Sequence, residues 1–129
     1  MTAAIRDTPD VEALIWSRIH PFGDVPGAEV RSWAYARVPT SGPRGWSVQV
    51  SMQIDVRDTT KQRAFARASQ VLATVLCLPG TPWDEGIVTD AQLIDGPSWL
   101  PDIESGRPRY VIQALVQAHP PRQRKETAR

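Results

Sequence analysis

With one cysteine, two histidines and no long apolar run, this 129-residue chain lacks the means for several chemistries. Cys77 alone can form neither an internal disulfide nor a multi-cysteine zinc site, so the fold must hold without such staples and a reducing compartment is expected. His20 and His119 stand before Pro21 and Pro120 at expected element ends. They are not a spaced pair and fall short of the two or three His, Cys or carboxylate ligands that a zinc centre draws from rigid elements. No Gly-x-Ser-x-Gly elbow, P-loop or dinucleotide fingerprint occurs, and no cofactor is expected. Charge of one sign is missing too: 15 Lys and Arg against 14 Asp and Glu leave a net charge of +1. That balance is too even to draw the whole molecule onto nucleic acid or an anionic membrane. No window approaches the run of about 18 apolar residues that a spanning helix needs, and the N-terminus carries no secretion signature. A soluble protein, not secreted by the ordinary route, is the expectation.

What is present reads as one domain over residues 1–118. Thr8 and Pro9 suit an N-cap and a first helical position, because the threonine oxygen accepts from a free N–H and proline has none to lose. Val11, Leu14, Ile15, Arg18 and Ile19 follow helical spacing until Pro21 and Gly23 end the run, with Asp10 and Glu12 at the positive end of the dipole. Glu29 to Val38 is β-compatible, placing Val30, Ser32, Ala34, Ala36 and Val38 on one face and Arg31, Trp33, Tyr35 and Arg37 on the other. Trp46 to Val56 alternates strictly: Trp46, Val48, Val50, Met52, Ile54 and Val56 face one way and Ser47, Gln49, Ser51, Gln53, Asp55 and Arg57 the other. The Pro39 to Gly45 loop joins these two as an antiparallel hairpin. Asp58, Thr59 and Thr60 supply cap candidates for a helix running to about Leu78, whose face is marked by Phe65, Ala68, Leu72, Val75 and Leu76. Its alanines at Ala64, Ala66, Ala68 and Ala73 raise helix propensity and permit close packing over a sheet. Ile87 to Ile94 and Tyr110 to Ala118 form the last two strands, bracketing a connection from Asp95 to Tyr110 that is too long for a tight hairpin. Connections are ordinarily about 4–6 residues, and longer ones tend to be functional. The order helix, hairpin, long helix, hairpin predicts an α+β layer: a four-stranded antiparallel sheet of two hairpins against the long helix, plus the N-terminal helix. Residues 119–129 are expected to form a mobile basic tail.

Candidate chemistry is sparse. Cys77, between Leu76 and Leu78 on the last helical turn, is expected to be a small buried hydrophobe without the electropositive setting a nucleophilic thiol needs. Asp84, Glu85, Asp90, Asp102 and Glu104 are scattered over turns and strand starts, where carboxylates serve mainly as solvated or capping groups. Lys61, Arg63 and Arg67 read as an exposed helix face, and Arg122, Arg124, Lys125 and Arg129 as a solvated tail, although either set is a conceivable phosphate contact. Five tryptophans against two Phe and two Tyr are many for this size. Trp46 is assigned to the core, whereas Trp33, Trp83 and Trp99, on a polar-facing strand position or in loops, suit an interface.

The segment Leu93-Ile94-Asp95-Gly96-Pro97-Ser98-Trp99-Leu100-Pro101-Asp102, followed by Gly106-Arg107-Pro108-Arg109-Tyr110-Val111 and an alternating strand, resembles the tail terminator (tail completion) proteins of long-tailed bacteriophages. The strand from Val48 to Val56 running through Asp58 into an alanine- and arginine-rich helix supports the resemblance, which extends from about Asp10 to Ala118. It implies a non-enzymatic structural virion protein at the neck, assembled in the host cytoplasm. Such proteins form a hexameric ring that caps the tail tube, stops its polymerisation and offers a surface for joining tail to head. The implied partners are further copies of the chain, the major tail tube protein and a head-completion connector, with DNA passing through the ring without sequence-specific binding and no membrane involved. On this resemblance Trp99, Leu100, Pro101, Arg107 and Arg109, with Trp33, are the expected interface, the aromatics as anchors and the arginines as directional donors. The Pro39 to Gly45 loop is a second contact candidate. A head-closure or neck connector protein, or a nucleic-acid-binding adaptor using Arg63, Arg67 and the tail, are the alternatives; a small hydrolase with scattered carboxylates is a third.

Overall fold

Strict alternation along the second hairpin arm sets the whole layer. In the computed structural model, which describes residues 11–42, 45–83 and 86–119, that arm is β2 (Gly45–Arg57), paired on one side with β1 (Glu29–Gly42) and on the other with β5 (Arg109–His119). β4 (Gly86–Trp99) lies beyond β5, and a two-residue strand, β3 (Pro82–Trp83), adds to its far edge, giving the antiparallel order β1-β2-β5-β4-β3. The four-stranded sheet of two hairpins is thus present, extended by the short β3. Thr8, Pro9, Asp10, Asp84, Glu85, the tail at 120–129 and the side chains of Trp46 and Trp83 lie outside the described residues.

Val48, Val50, Met52, Ile54 and Val56 of β2 and Tyr110, Ile112, Ala114, Val116 and Ala118 of β5 all point to one face and are buried there. Helix α1 (Val11–Ile19) contributes Val11, Ile15 and Ile19 to this core. Helix α2 (Lys61–Leu76) contributes Ala64, Ala68, Val71 and Val75, with Leu78 just beyond it. Each fully buried Val or Ile side chain is worth roughly 1.5–3 kcal/mol relative to exposure.

The buried stripe of α2 keeps Ala68 and Val75 of the face expected from the sequence, with Leu72 half-buried against the core, but Ala64 and Val71 join it in place of Phe65 and Leu76. The helix sets Ala64 and Ala68 against the sheet, so that the backbone approaches closely, and leaves Ala66, Ala73, Phe65 and Leu76 exposed. Phe65 instead meets the ring of Tyr110 edge-on, with centroids 5.3 Å apart. Cys77, expected to be buried, is exposed. It caps the helix with its backbone N–H, which donates to Ala73 and Thr74 carbonyls, and the following Leu78 takes the core position.

Thr60 is the N-cap of α2; its hydroxyl accepts from the Arg63 N–H at 3.1 Å, the arrangement that satisfies one of the orphan donors of a helix start. Asp58 has a different task. Its carboxylate is fully buried and accepts from the Thr59 N–H at 2.7 Å and from Arg67 Nε at 2.8 Å, while Arg67 Nη1 donates to the Phe22 carbonyl at 3.1 Å. Arg67 therefore does not belong to a free basic face: it ties the end of β2, the body of α2 and the 3-10 turn His20–Gly23 together. Burial alone would push the Asp58 carboxyl up, but the hydrogen bonds from Arg67 and Thr59 and the charges of Arg67 and Arg63 outweigh it and hold the group below its ordinary range.

β1 departs from simple alternation at Tyr35, an extra residue between the pairs Ala34–Met52 and Ala36–Ser51. The bulge reverses the facing of everything after it. Arg37, assigned with Trp33 to one face, consequently pairs with the inward Val50 and reaches Glu12 of α1 at 2.9 Å.

Candidate interaction surface

The connection expected from Asp95 to Tyr110 is largely strand. β4 continues to Trp99, absorbing three register shifts against β5, the last between Asp95 and Ser98. Gly96 makes the passage possible: it has φ +104°, and a Cβ there would collide with the Val111 carbonyl oxygen. The remaining turn is itself ladder-like. Leu100 N–H donates to Arg109 O at 3.0 Å, Asp102 N–H to Arg107 O at 3.1 Å and Gly106 N–H to Asp102 O at 2.7 Å, with Gly106 at φ +73°. Asp102 and Ser105 side chains accept from the Glu104 and Arg107 N–H groups. The expectation of a long shaped loop becomes a hairpin end with a defined backbone.

Three arginines brace this end. Arg57 Nε donates to Asp102 at 3.2 Å; Arg109 donates to Leu100 O at 2.8 Å and to Asp55 at 3.3 Å; Arg107 donates to Glu29 at 3.2 Å and to Gly27 O. Asp55 and Arg57 are buried although they lie on the sheet face opposite the helices, because this network covers them. Arg57 Nη1 is buried with no hydrogen-bond partner among the described residues. Desolvation would raise the Asp102 carboxyl, but hydrogen bonds from Ser105, Arg57 and the backbone hold it below its ordinary range. The guanidinium groups of Arg107 and Arg109, expected as donors to a partner, are thus used within the chain.

What the braced end leaves outward is apolar. Leu100 and Pro101 are exposed, and Ile103 is 96% exposed at the tip. Trp99 is not in a loop: it is the last residue of β4, opposite Tyr110, its ring 5.3 Å from that ring and 4.6 Å from Lys61 Nζ. The row Phe65, Tyr110, Trp99 and Lys61 was not picked out in the sequence; the four-residue spacing of Lys61 and Phe65 on one helix face was the signal available. Trp33 lies on β1, two strands away from β5 in the sheet order, and is 44% exposed. The sequence-derived set therefore divides into a hairpin end and a separate edge-strand position.

Along the sheet, exposed large apolar side chains fall only on the two flanking long strands among the described residues: Trp33, Tyr35 and Val38 on β1, and Ile87, Leu93, Ile94 and Trp99 on β4. Beside β1, a groove of about 550 Å³ opens against α1, lined by Ala13, Trp16, Ser32, Trp33 and Met52. His20 sits beside Trp16 with ring centroids 5.6 Å apart and 3.4 Å from Asp24, and His119 ends β5. Among the described residues no three His, Cys, Asp or Glu side chains converge in a way that would hold a metal ion, and no helix is long and apolar enough to cross a membrane. Compared with known proteins, the chain matches no family model and no curated protein.

Proposed function

We propose that this chain is a structural virion protein that forms a ring on the end of a phage tail tube, stops its polymerisation and offers the surface that joins tail to head. The observation that carries the proposal is the hairpin end from Leu93 to Val111. The residues that resemble tail terminators are the ones that build it, and its arginines brace it from within while Leu100, Pro101 and Ile103 face outward. Apolar residues held on an ordered projection are suited to a protein partner. The function is non-enzymatic in this reading, with the tube protein and a head-completion connector as partners. The nucleic-acid adaptor loses support from Arg67, which is committed to Asp58 and the Phe22 carbonyl.

Particle imaging of purified chain mixed with polymerising tube protein tests the reading. Rings seated on tube ends and a fixed tube length are expected. A protein that leaves tube length unchanged and decorates no ends refutes it, and binding to capsid portals in place of tube ends would transfer the assignment to a head-closure connector.

A further inference from the structure

The geometry points to the joint between copies: the open edge of β1 in one copy pairs, antiparallel, with the open edge of β4 in the next. This deepens the ring reading given above and rests on it. β1 pairs only with β2, and β4 is covered on its far side only where Pro82 and Trp83 meet Ile87 and Gly86. Both strands are 14 residues long. Because β1, β2, β5 and β4 alternate in direction, repeating the four-stranded unit head to tail sets β4 of one copy antiparallel to β1 of the next. Such a heterologous joint uses two different surfaces, the kind that makes a ring when the rotation between successive copies closes.

Charge and facing select the register. β4 carries Asp90 and Asp95 and no cation, and neither carboxylate is in an ion pair among the described residues; they receive only neutral donors, Gln92, Ala91 and Ser98. β1 carries Arg31, whose side chain is largely exposed and whose Nε donates to Glu29 at 2.6 Å, leaving its terminal amino groups for a second carboxylate across the edge. Asp95 lies across from Gln113 and Arg31 across from Asp55, so both face away from the helices. Setting Asp95 opposite Arg31, and leaving the extra residues Ile94 and Tyr35 unpaired as they already are within the chain, places Leu93 opposite Ser32, Gln92 opposite Trp33, Ala91 opposite Ala34 and Asp90 opposite Ala36. Each of these pairs shares a face, which a slip by one residue would destroy. Leu93, an exposed apolar side chain on the helix side of β4, then enters the groove beside Trp16, Ser32 and Met52. The second copy thereby covers apolar residues that both edges leave in water.

Two measurements decide it, both on the full chain with Cys77→Ser to remove the exposed thiol. Ser32→Cys combined with Leu93→Cys should give, on oxidation, a ladder of covalent multimers on a non-reducing gel, whereas either cysteine alone gives monomer and Ser32→Cys with Gln92→Cys, on opposite faces, gives little. Dimers from Ser32→Cys alone would mean a β1–β1 joint and overturn the proposal, as would the absence of a ladder from a double variant with native circular dichroism. Independently, Arg31→Glu should raise the assembly dissociation constant about five- to tenfold, and adding Asp95→Arg should restore it. Failure of that rescue overturns the joint even if the cysteine variants misfold. A ladder from a protein that caps no tubes keeps the joint and removes the terminator function; tube capping without ladder or rescue does the reverse.

Discussion

Replacing Asp58 by alanine removes a fully buried carboxylate that connects three segments, and its cost follows from the contacts. The variant loses a charge-assisted hydrogen bond to Arg67 Nε at 2.8 Å and the bond from the Thr59 N–H at 2.7 Å, and it leaves Arg67 without its counter-charge. Removing one partner of a buried pair costs about 3–5 kcal/mol, and the one-fifth exposure of the Arg67 side chain places this case at the lower end, about 3 kcal/mol. For a chain of this length that is a fall in Tm of roughly 10 °C. Arg67→Ala should cost about as much, and because both variants break one interaction the double variant should fall short of their sum by about 2 kcal/mol. Asp58→Asn keeps an acceptor for the Thr59 N–H but not the charge, and should lie between. The pH dependence has a definite sign. The folded carboxyl titrates below its ordinary value of 3.8, so the unfolded chain binds the proton more readily. The contribution of Asp58 is complete above that value and is lost as pH falls through the folded one. Urea unfolding at pH 7 and at stepped acid pH measures the four variants and the parent. Additive losses, an Asp58→Ala cost under about 1 kcal/mol, or an acid sensitivity of that variant equal to the parent's would refute the reasoning.

Gly96→Ala should destabilise by more than about 2 kcal/mol, since the new Cβ needs both a positive φ and the space of the Val111 carbonyl oxygen; thermal unfolding measures it. Arg107→Ala should leave the core intact but speed amide hydrogen exchange at Asp102 and Gly106 severalfold, because the side chain's bonds to Glu29 and Gly27 brace that turn, at a cost of about 1 kcal/mol. Cys77 should react stoichiometrically with a thiol reagent in the native state at nearly the rate seen in denaturant, in keeping with its exposure.

β2 was readable from the sequence because its period of two is unbroken and one face is wholly apolar from Val48 to Val56, so tertiary packing had nothing to override. The cap of α2 was readable within a three-residue choice; Thr60 takes it because Asp58 is drawn inward by Arg67, a partner nine residues on. The rotated face of α2 was hidden because hydrophobicity favours Phe65 over Ala64, whereas the sheet rewards the smaller side chain by admitting the helix more closely. β1 and β4 were both readable as strands, but a bulge overturned the facing read for β1 beyond Ala34, and β4 runs through its irregularities past Ile94 to Trp99. Nothing in the local composition marks Tyr35 or Ile94 as an extra residue, since a bulge is a property of two strands in register and not of one. At the hairpin end the residues were recognised but not their direction: Arg107 and Arg109 were singled out, yet their acceptors Gly27, Glu29 and Asp55 are distant in sequence.

The inward use of those arginines alters what contact at the tip costs. A flexible loop that orders on meeting a partner surrenders about 1–2 kcal/mol of backbone entropy for each residue fixed. Between Leu100 and Pro108 that loss has been taken during folding, when Arg57, Arg107 and Arg109 closed around the turn. Ile103 therefore arrives at any encounter already aimed, and a modest apolar footprint can hold where the same residues on a slack chain would not.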